Sequence, residues 1–336
     1  MPWARVGPGW ELAQYTSGTR ARPAVTTLYL VSPGGSRYSL YTWPASANAA
    51  PGLLAWSGDK TRALLDEGAG GQVAQLNLVT GKLSRFRLAG QASALGYTRP
   101  DGLNVLGVRV SGSVATLTRY SLTGQLVKVL ATGRNSVDGV YSSGGTTLAV
   151  SGPGGLRLVS NAGRVIRQLP VPGTSPVLGC TPVRWWNTGT ILADCDAKSS
   201  SIARLWLVPA SGARPAALTP QRNGSGPDLG DIGAWTLTSG LYLQSVGACG
   251  TLELNRQAAN GSVAAVTVPG TPNTHNLIVT ALGPRLLVDA GSGCGAGNSL
   301  LWYNPGSRAE QWLLKAPADA TGVLAVDPYY SPQDAQ

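Results

Sequence analysis

Six aspartates and one histidine are the residues of this chain whose chemistry could reach beyond holding a fold: Asp138, Asp194, Asp196, Asp228, Asp231, Asp319 and His275. The DCD run at 194–196 and the DLGD run at 228–231 each offer one or two carboxylate oxygens, the ligand type that hard divalent cations take. His275, in the stretch NTHN with Asn276 beside it, is the sole imidazole and so the sole side chain of that kind for a base. The opposing reading is structural: aspartates at loop ends cap nearby backbone N–H groups, and a lone histidine is a satisfied residue of the fold. Motifs for a nucleophile do not tip the balance. No GxSxG stands between a strand and a helix, and GAGGQ, SPGG and SGCGAG are turn glycines with no helix behind them to hold a phosphate. The expected site is therefore a set of binding residues, Asp138, Asp194, Asp196, Asp228, Asp231, His275 and Asn276. No catalytic residue, metal site or cofactor is assigned.

The elements that must position these residues read as strands. With 336 residues the chain has room for two domains or for one large β architecture. Its 45 glycines and 23 prolines, 12% charged residues and single Phe describe dense turns with Val, Leu, Thr, Tyr and Trp between them. No run of 18 apolar residues occurs, so no transmembrane segment is expected, and the start MPWARVGPGW has neither the basic nor the apolar region of a signal peptide. A net charge of +10 suggests nucleic acid only where Lys and Arg cluster. Here Arg20 and Arg22, Arg85 and Arg87, and Arg164 and Arg167 are scattered pairs that alternate with apolar residues, as on the outward side of a strand, and no nucleic-acid partner is expected. Four cysteines without a CxxC pair, beside one histidine, read as two disulfides in an oxidising compartment.

The strands repeat. An apolar strand, a small turn with Gly and a second strand recur in seven copies, LYLVSPGGSRYSLYTW, LNLVTGKLSRFRL, LTRYSLTGQLVKVL, LRLVSNAGRVIRQL, LWLVPASGARPAAL, LELNRQAANGSVAAVTV and LLWYNPGSRAEQWLL. Their turn glycines, Gly35, Gly81, Gly124, Gly163, Gly212, Gly261 and Gly306, stand 46, 43, 39, 49, 49 and 45 residues apart, a period that with strands alone predicts propeller blades. A further hairpin precedes each copy, and Trp56, Tyr97, Tyr141, Trp186 and Trp235 keep the same phase in its turn. These rings are expected to pack between blades, each contributing about 1.5 to 3 kcal/mol by burial. Asp59 and Asp101, in SGDK and RPDG, are expected to form turns rather than act as acids. The predicted fold is all-β, one seven-bladed β-propeller domain of four-stranded antiparallel blades, with strands A to D running outward from the axis. Blades are placed at 10–46, 53–92, 93–135, 136–174, 177–226, 228–271 and 273–318. Residues 322–328, within TGVLAVDPYYSP, are expected to supply the innermost strand of blade 1, so that the C-terminal strand closes the ring and no open edge remains.

The hairpin AWSGDKTRALL, and strands such as LWLVPASGARPAALT, resemble the repeat of TolB-type and other WD-like bacterial propellers, whose WSPDG turn stands here as WSGDK, YTRPDG and WNTGT. The resemblance spans roughly residues 10 to 326 and lies in turns that build the fold, so it carries over no partner-binding residue. It implies a seven-bladed propeller exported from the cytoplasm, often a platform for protein interaction. In such a propeller the D to A and B to C loops open on one face, and the candidate residues above fall there. Cys180 at the start of the A strand of blade 5 and Cys195 at the end of its B strand are placed where antiparallel pairing can bring them together, the preferred first bridge. Cys249 and Cys294 occupy matching B to C loops one repeat apart, which favours a second bridge between them, with Cys195 to Cys249 as an open alternative. The expected function is a non-catalytic, secreted or envelope-associated scaffold, monomeric, that binds a protein or a cell-envelope glycan through the loop face. The alternative is a metal-dependent hydrolase or lyase at the channel mouth, similar to lactonase propellers.

Overall fold

Alternating apolar residues bounded by Gly-rich turns become strands along the whole chain, 28 of them among the described residues. The computed structural model of the protein describes residues 1–19, 22–43, 50–68, 70–142, 144–152, 154–170, 177–197, 205–219, 230, 232–247, 250–272, 274–292, 296–316 and 324–329. No helix among these residues is long and apolar enough to cross a membrane.

The strands form seven antiparallel groups of four. Blade 1 holds β1 (Glu11–Thr19), β2 (Arg22–Val31) and β3 (Arg37–Trp43), with β28 (Leu324–Pro328) paired to β1. Blade 2 holds β4 (Gly52–Trp56), β5 (Arg62–Asp66), β6 (Gln72–Asn77) and β7 (Leu83–Arg87). Blade 3 holds β8 (Ser93–Tyr97), β9 (Asn104–Ser111), β10 (Val114–Ser121) and β11 (Leu126–Arg134). Blade 4 holds β12 (Gly139–Tyr141), β13 (Thr147–Val150), β14 (Arg157–Ser160) and β15 (Val165–Gln168). Blade 5 holds β16 (Val177–Asn187), β17 (Thr190–Ala197), β18 (Leu205–Pro209) and β19 (Ala216–Ala217). Blade 6 holds β20 (Gly233–Leu237), β21 (Gly240–Val246), β22 (Leu252–Gln257) and β23 (Val263–Ala265). Blade 7 holds β24 (His275–Leu282), β25 (Arg285–Ser292), β26 (Ala296–Asn304) and β27 (Ala309–Leu314). A single parallel contact, Leu252 against His275, links blades 6 and 7 into one eight-stranded sheet. The chain is thus all-β, built of the four-stranded antiparallel blades of a β-propeller.

The blades divide into two compact units. The first comprises residues 1–53 and 227–329, and the second residues 54–226. In the first unit one apolar core lies between blades 6 and 7, around Trp235, Tyr242, Val288 and Leu301, and another between blades 7 and 1, around Ala13, Leu287, Trp302 and Leu324. β28 reaches β1 in this unit with Leu12 opposite Asp327 and Tyr15 opposite Leu324. In the second unit the cores again lie between successive blades: Leu64, Tyr97 and Tyr120 between blades 2 and 3, Leu117, Leu148 and Val159 between 3 and 4, and Ala149, Ile191 and Val208 between 4 and 5. Two sheet faces each apolar on the inside must bury one another, which is why the core is layered rather than central.

Six of the seven repeat glycines take positive φ, the exception being Gly306, where Arg308 takes the left-handed conformation instead. At Gly124 the requirement is doubled, because φ is 85° and an added Cβ would collide with the carbonyl oxygen of Arg87 on the preceding blade. Trp56, Tyr97 and Trp235 are buried as their phase in the repeat implies. In blade 5 the register slips between Pro182 and Arg184, and the inter-blade position passes to Trp185, whose Nε1 donates to Val140 O at 3.1 Å. Trp186 lies under the Arg184 guanidinium instead, 4.9 Å from it. Asp59 is a turn former: it accepts from Thr61 N at 3.0 Å and pairs with Arg62 at 2.6 Å.

Candidate functional site

Asp138 stands just before β12, half-buried, where its N–H donates to Ser151 Oγ at 2.8 Å and its carbonyl accepts from Ser151 N at 2.9 Å. Asp194 is half-buried in β17, between Thr181 of β16 and Leu205 of β18. Asp196 pairs through its backbone with Gly179, and its side chain lies outside the described residues, as do Asp228, Asp231, Asp319, Cys249 and Cys294. His275 opens β24 and Asn276 follows it, buried. Asp138 and Asp194 therefore belong to one unit and His275 and Asn276 to the other. Cys180 and Cys195 stand directly opposite in β16 and β17, both buried, and form a disulfide.

Register explains where the polar side chains of blade 7 meet. His275 lies opposite Gly291 and Leu277 opposite Asp289, so His275 and Asp289 share one face of the sheet while Asn276 and Ile278 share the other. Asn298 of β26 joins the first face and donates Nδ2 to Asp289 Oδ1 at 3.0 Å. Room for this comes from Gly291, where a Cβ would lie 2.9 Å from Asn298 Oδ1. Burial pushes the Asp289 carboxyl up from 3.8 to about 6, against the opposing effect of the Asn298 bond. Burial also lowers His275 from its ordinary 6.5, opposed by a backbone hydrogen bond with Gly250. Near neutral pH this face thus presents an uncharged imidazole, an amide and a carboxyl that changes charge close to pH 6, a set suited to donating and accepting hydrogen bonds. Among the described residues no three His, Cys, Asp or Glu side chains gather as metal ligands.

Asp289 and Asn298 are residues that sequence reasoning missed, and so are two buried glutamines. Gln244 of β21 donates Nε2 to Asn276 O at 2.6 Å and accepts from Ile278 N at 3.0 Å, which ties blade 6 to the first strand of blade 7. Gln14 of β1 does the same to the segment that enters blade 2, with Nε2 on Pro51 O at 2.6 Å and Oε1 on Leu53 N at 2.5 Å. Gln14, Gln244 and Asp289 each pair with a leucine of the third strand, Leu28, Leu254 and Leu300, so they fill one equivalent position of the repeat. Asp194, opposite Leu205, fills it too. The signal that could have found them is a polar residue recurring inside the apolar second strand of a blade.

No protein-family model matches the chain, and no curated protein matches it. Solved structures do. A puromycin-hydrolysing peptidase from Mycobacterium tuberculosis matches at 16% identity and a TM-score of 0.58 over 94% of this chain and 55% of the peptidase, so the chain spans about half the length of that protein. The β-propeller domain of the Trilobed protease from Pyrococcus furiosus matches at 11% identity and a TM-score of 0.57 over 92% of this chain and 96% of that domain. TolB from Acinetobacter baumannii matches at 14% identity and a TM-score of 0.45 over 95% of this chain and 67% of TolB. The second, a match to a β-propeller domain over nearly its whole length, carries the conclusion that the fold is a β-propeller. At these identities the likeness extends to the fold alone.

Proposed function

We propose that the chain is a non-catalytic β-propeller that works outside the cytoplasm as a monomeric scaffold, binding a protein or a cell-envelope glycan through its loop-bearing strand ends. The observation that supports it is how the polar groups at those ends are engaged. At the start of blade 7 the Asn276 backbone is held by Gln244 and Asp289 by Asn298, an ordered set of hydrogen-bonding groups, and in the other unit the Asp138 backbone is held by Ser151. The buried Cys180–Cys195 disulfide supports an oxidising location. The test is a screen of lactone, phosphoester and glycoside substrates with calcium or magnesium present, beside thermal melting with each ion. The scaffold reading expects no turnover and no rise in the midpoint, since only a bound ion stabilises the native state. Metal-dependent turnover abolished by Asp194→Asn in a protein that still folds would overturn it.

A further inference from the structure

The blades of the first unit carry a polar residue at one equivalent place in the second strand, and in blade 7 it is an acid where blades 1 and 6 have an amide. Gln244 donates to Asn276 O and accepts from Ile278 N of the inner strand beside it, and Gln14 donates to Pro51 O and accepts from Leu53 N of the segment beside it. A glutamine does both at once because its amide holds a donor and an acceptor. Blade 7 has Asp289 at that place, and the inner strand beside blade 7 is the C-terminal β28. Leu300, directly opposite Asp289, and Leu287, two positions before it, pack in one core with Leu324 of β28. A carboxylate only accepts hydrogen bonds, whereas a carboxylic acid also donates. The bond that a glutamine gives to an inner-strand carbonyl is therefore open to Asp289 only while it holds a proton.

The other end of β28 meets a second carboxyl. Glu11 of β1 lies opposite Pro328 and is fully buried, and among the described residues neither of its carboxyl oxygens has a hydrogen-bond partner. A buried carboxylate without a donor is unfavourable, and either a proton or opening to water relieves it. Asp327 of β28 is its charged neighbour and adds to the effect of burial. Arg285, the cation on the Asp289 face of β25, is turned to Gln311 and the Trp302 ring. Tyr15, beside Tyr29, is raised by burial and stays neutral, and half-exposed His275 is lowered by burial and acts in the opposite sense. We propose that β28 is a pH-dependent latch, held on β1 and against blade 7 while Asp289 and Glu11 are protonated and released as they ionise, which exposes the β1 edge from Glu11 to Tyr15. Burial pushes the Asp289 carboxyl up to about 6, so the closed strand is fully favoured below about pH 4 and loses that advantage as pH rises through about 6. Glu11, held well above its ordinary range, has the same sign. The latch does not depend on what the loop-bearing strand ends bind.

Hydrogen exchange of the full chain at pH 5 and pH 7.5 tests this, read as protection factors so that the intrinsic pH dependence of exchange cancels. The amides of residues 324–327 and 12–15 are expected to lose about 10-fold or more in protection between the two, the change that a carboxyl moving between 3.8 and about 6 produces on opening, while the outer strands β11 and β15 keep theirs. Asp289→Asn is expected to remove most of that fall, with Asp289→Gln as the second variant should the first not fold. A fall of equal size in every strand overturns the latch in favour of global destabilisation. Unchanged protection of residues 324–327 in the parent, or the same fall in the folded Asp289 variant, overturns it outright, and Glu11→Gln that left the fall whole would remove Glu11 from the latch.

Discussion

Asp289→Asn should make the protein more stable at neutral pH and leave it unchanged in acid. The Asp289 side chain is 6% exposed, and burial raises its carboxyl from 3.8 to about 6. A folded-state value above the unfolded one means that the native state favours the protonated form. The stability linked to that proton is therefore fully present below about pH 4 and is lost as pH rises through about 6. At 1.36 kcal/mol per pH unit, the interval between the two values corresponds to about 3 kcal/mol lost by pH 7.5. Glu11, fully buried in β1, has its carboxyl held well above the ordinary range by burial and then by Asp327, so its contribution has the same sign. His275 runs the other way: its folded value lies below 6.5, so its contribution grows as pH rises toward 6.5, and its half-exposed ring keeps the effect small. An asparagine at 289 keeps an oxygen for the Asn298 Nδ2 bond while removing the charge. Urea unfolding at pH 4.5 and 7.5 measures the outcome: the parent should lose about 2 kcal/mol between the two, the rest having gone below pH 4.5, and at pH 7.5 Asp289→Asn should exceed the parent by up to about 3 kcal/mol. Equal stability of parent and variant at pH 7.5 would show that the carboxyl is not desolvated, and the reasoning fails.

Three further outcomes are expected. Gln244→Leu leaves Asn276 O and Ile278 N buried without their side-chain partner, which should cost about 3 kcal/mol in urea unfolding; a loss under about 0.5 kcal/mol would mean that the glutamine does not hold the blades. Gly124→Ala demands left-handed φ of alanine against the Arg87 carbonyl and should lower stability by about 2 kcal/mol, whereas Gly112→Ala, with positive φ and nothing within 4 Å, should cost less; equal losses would remove the steric argument. Deleting residues 317–336 takes away β28 and exposes the edge of β1 from Glu11 to Tyr15, so aggregation or loss of the cooperative melt is expected, and an unchanged melting profile would refute a structural role for that strand.

The sequence by itself determined the blades. Alternation of apolar residues, turn glycines at a forty-odd residue period and Asp in turns such as SGDK are local signals, because strand and turn conformation answer to residues a few positions away. The Cys180–Cys195 bridge was legible for the same reason, as two ends of one hairpin. Only the tertiary structure decided which polar residues matter. Gln14, Gln244 and Asp289 look like interruptions of apolar strands until pairing places each opposite a leucine and against the next segment of chain, and such partners lie 32 to 39 residues away for the glutamines. A one-residue slip in β16 likewise exchanged Trp185 for Trp186, since a bulge turns every later side chain to the other face. The partition of charge follows chain position, since 18 of the 26 basic residues fall in the one stretch 54–226, but only the structure shows that this stretch is one compact unit while the two flanking stretches join into another.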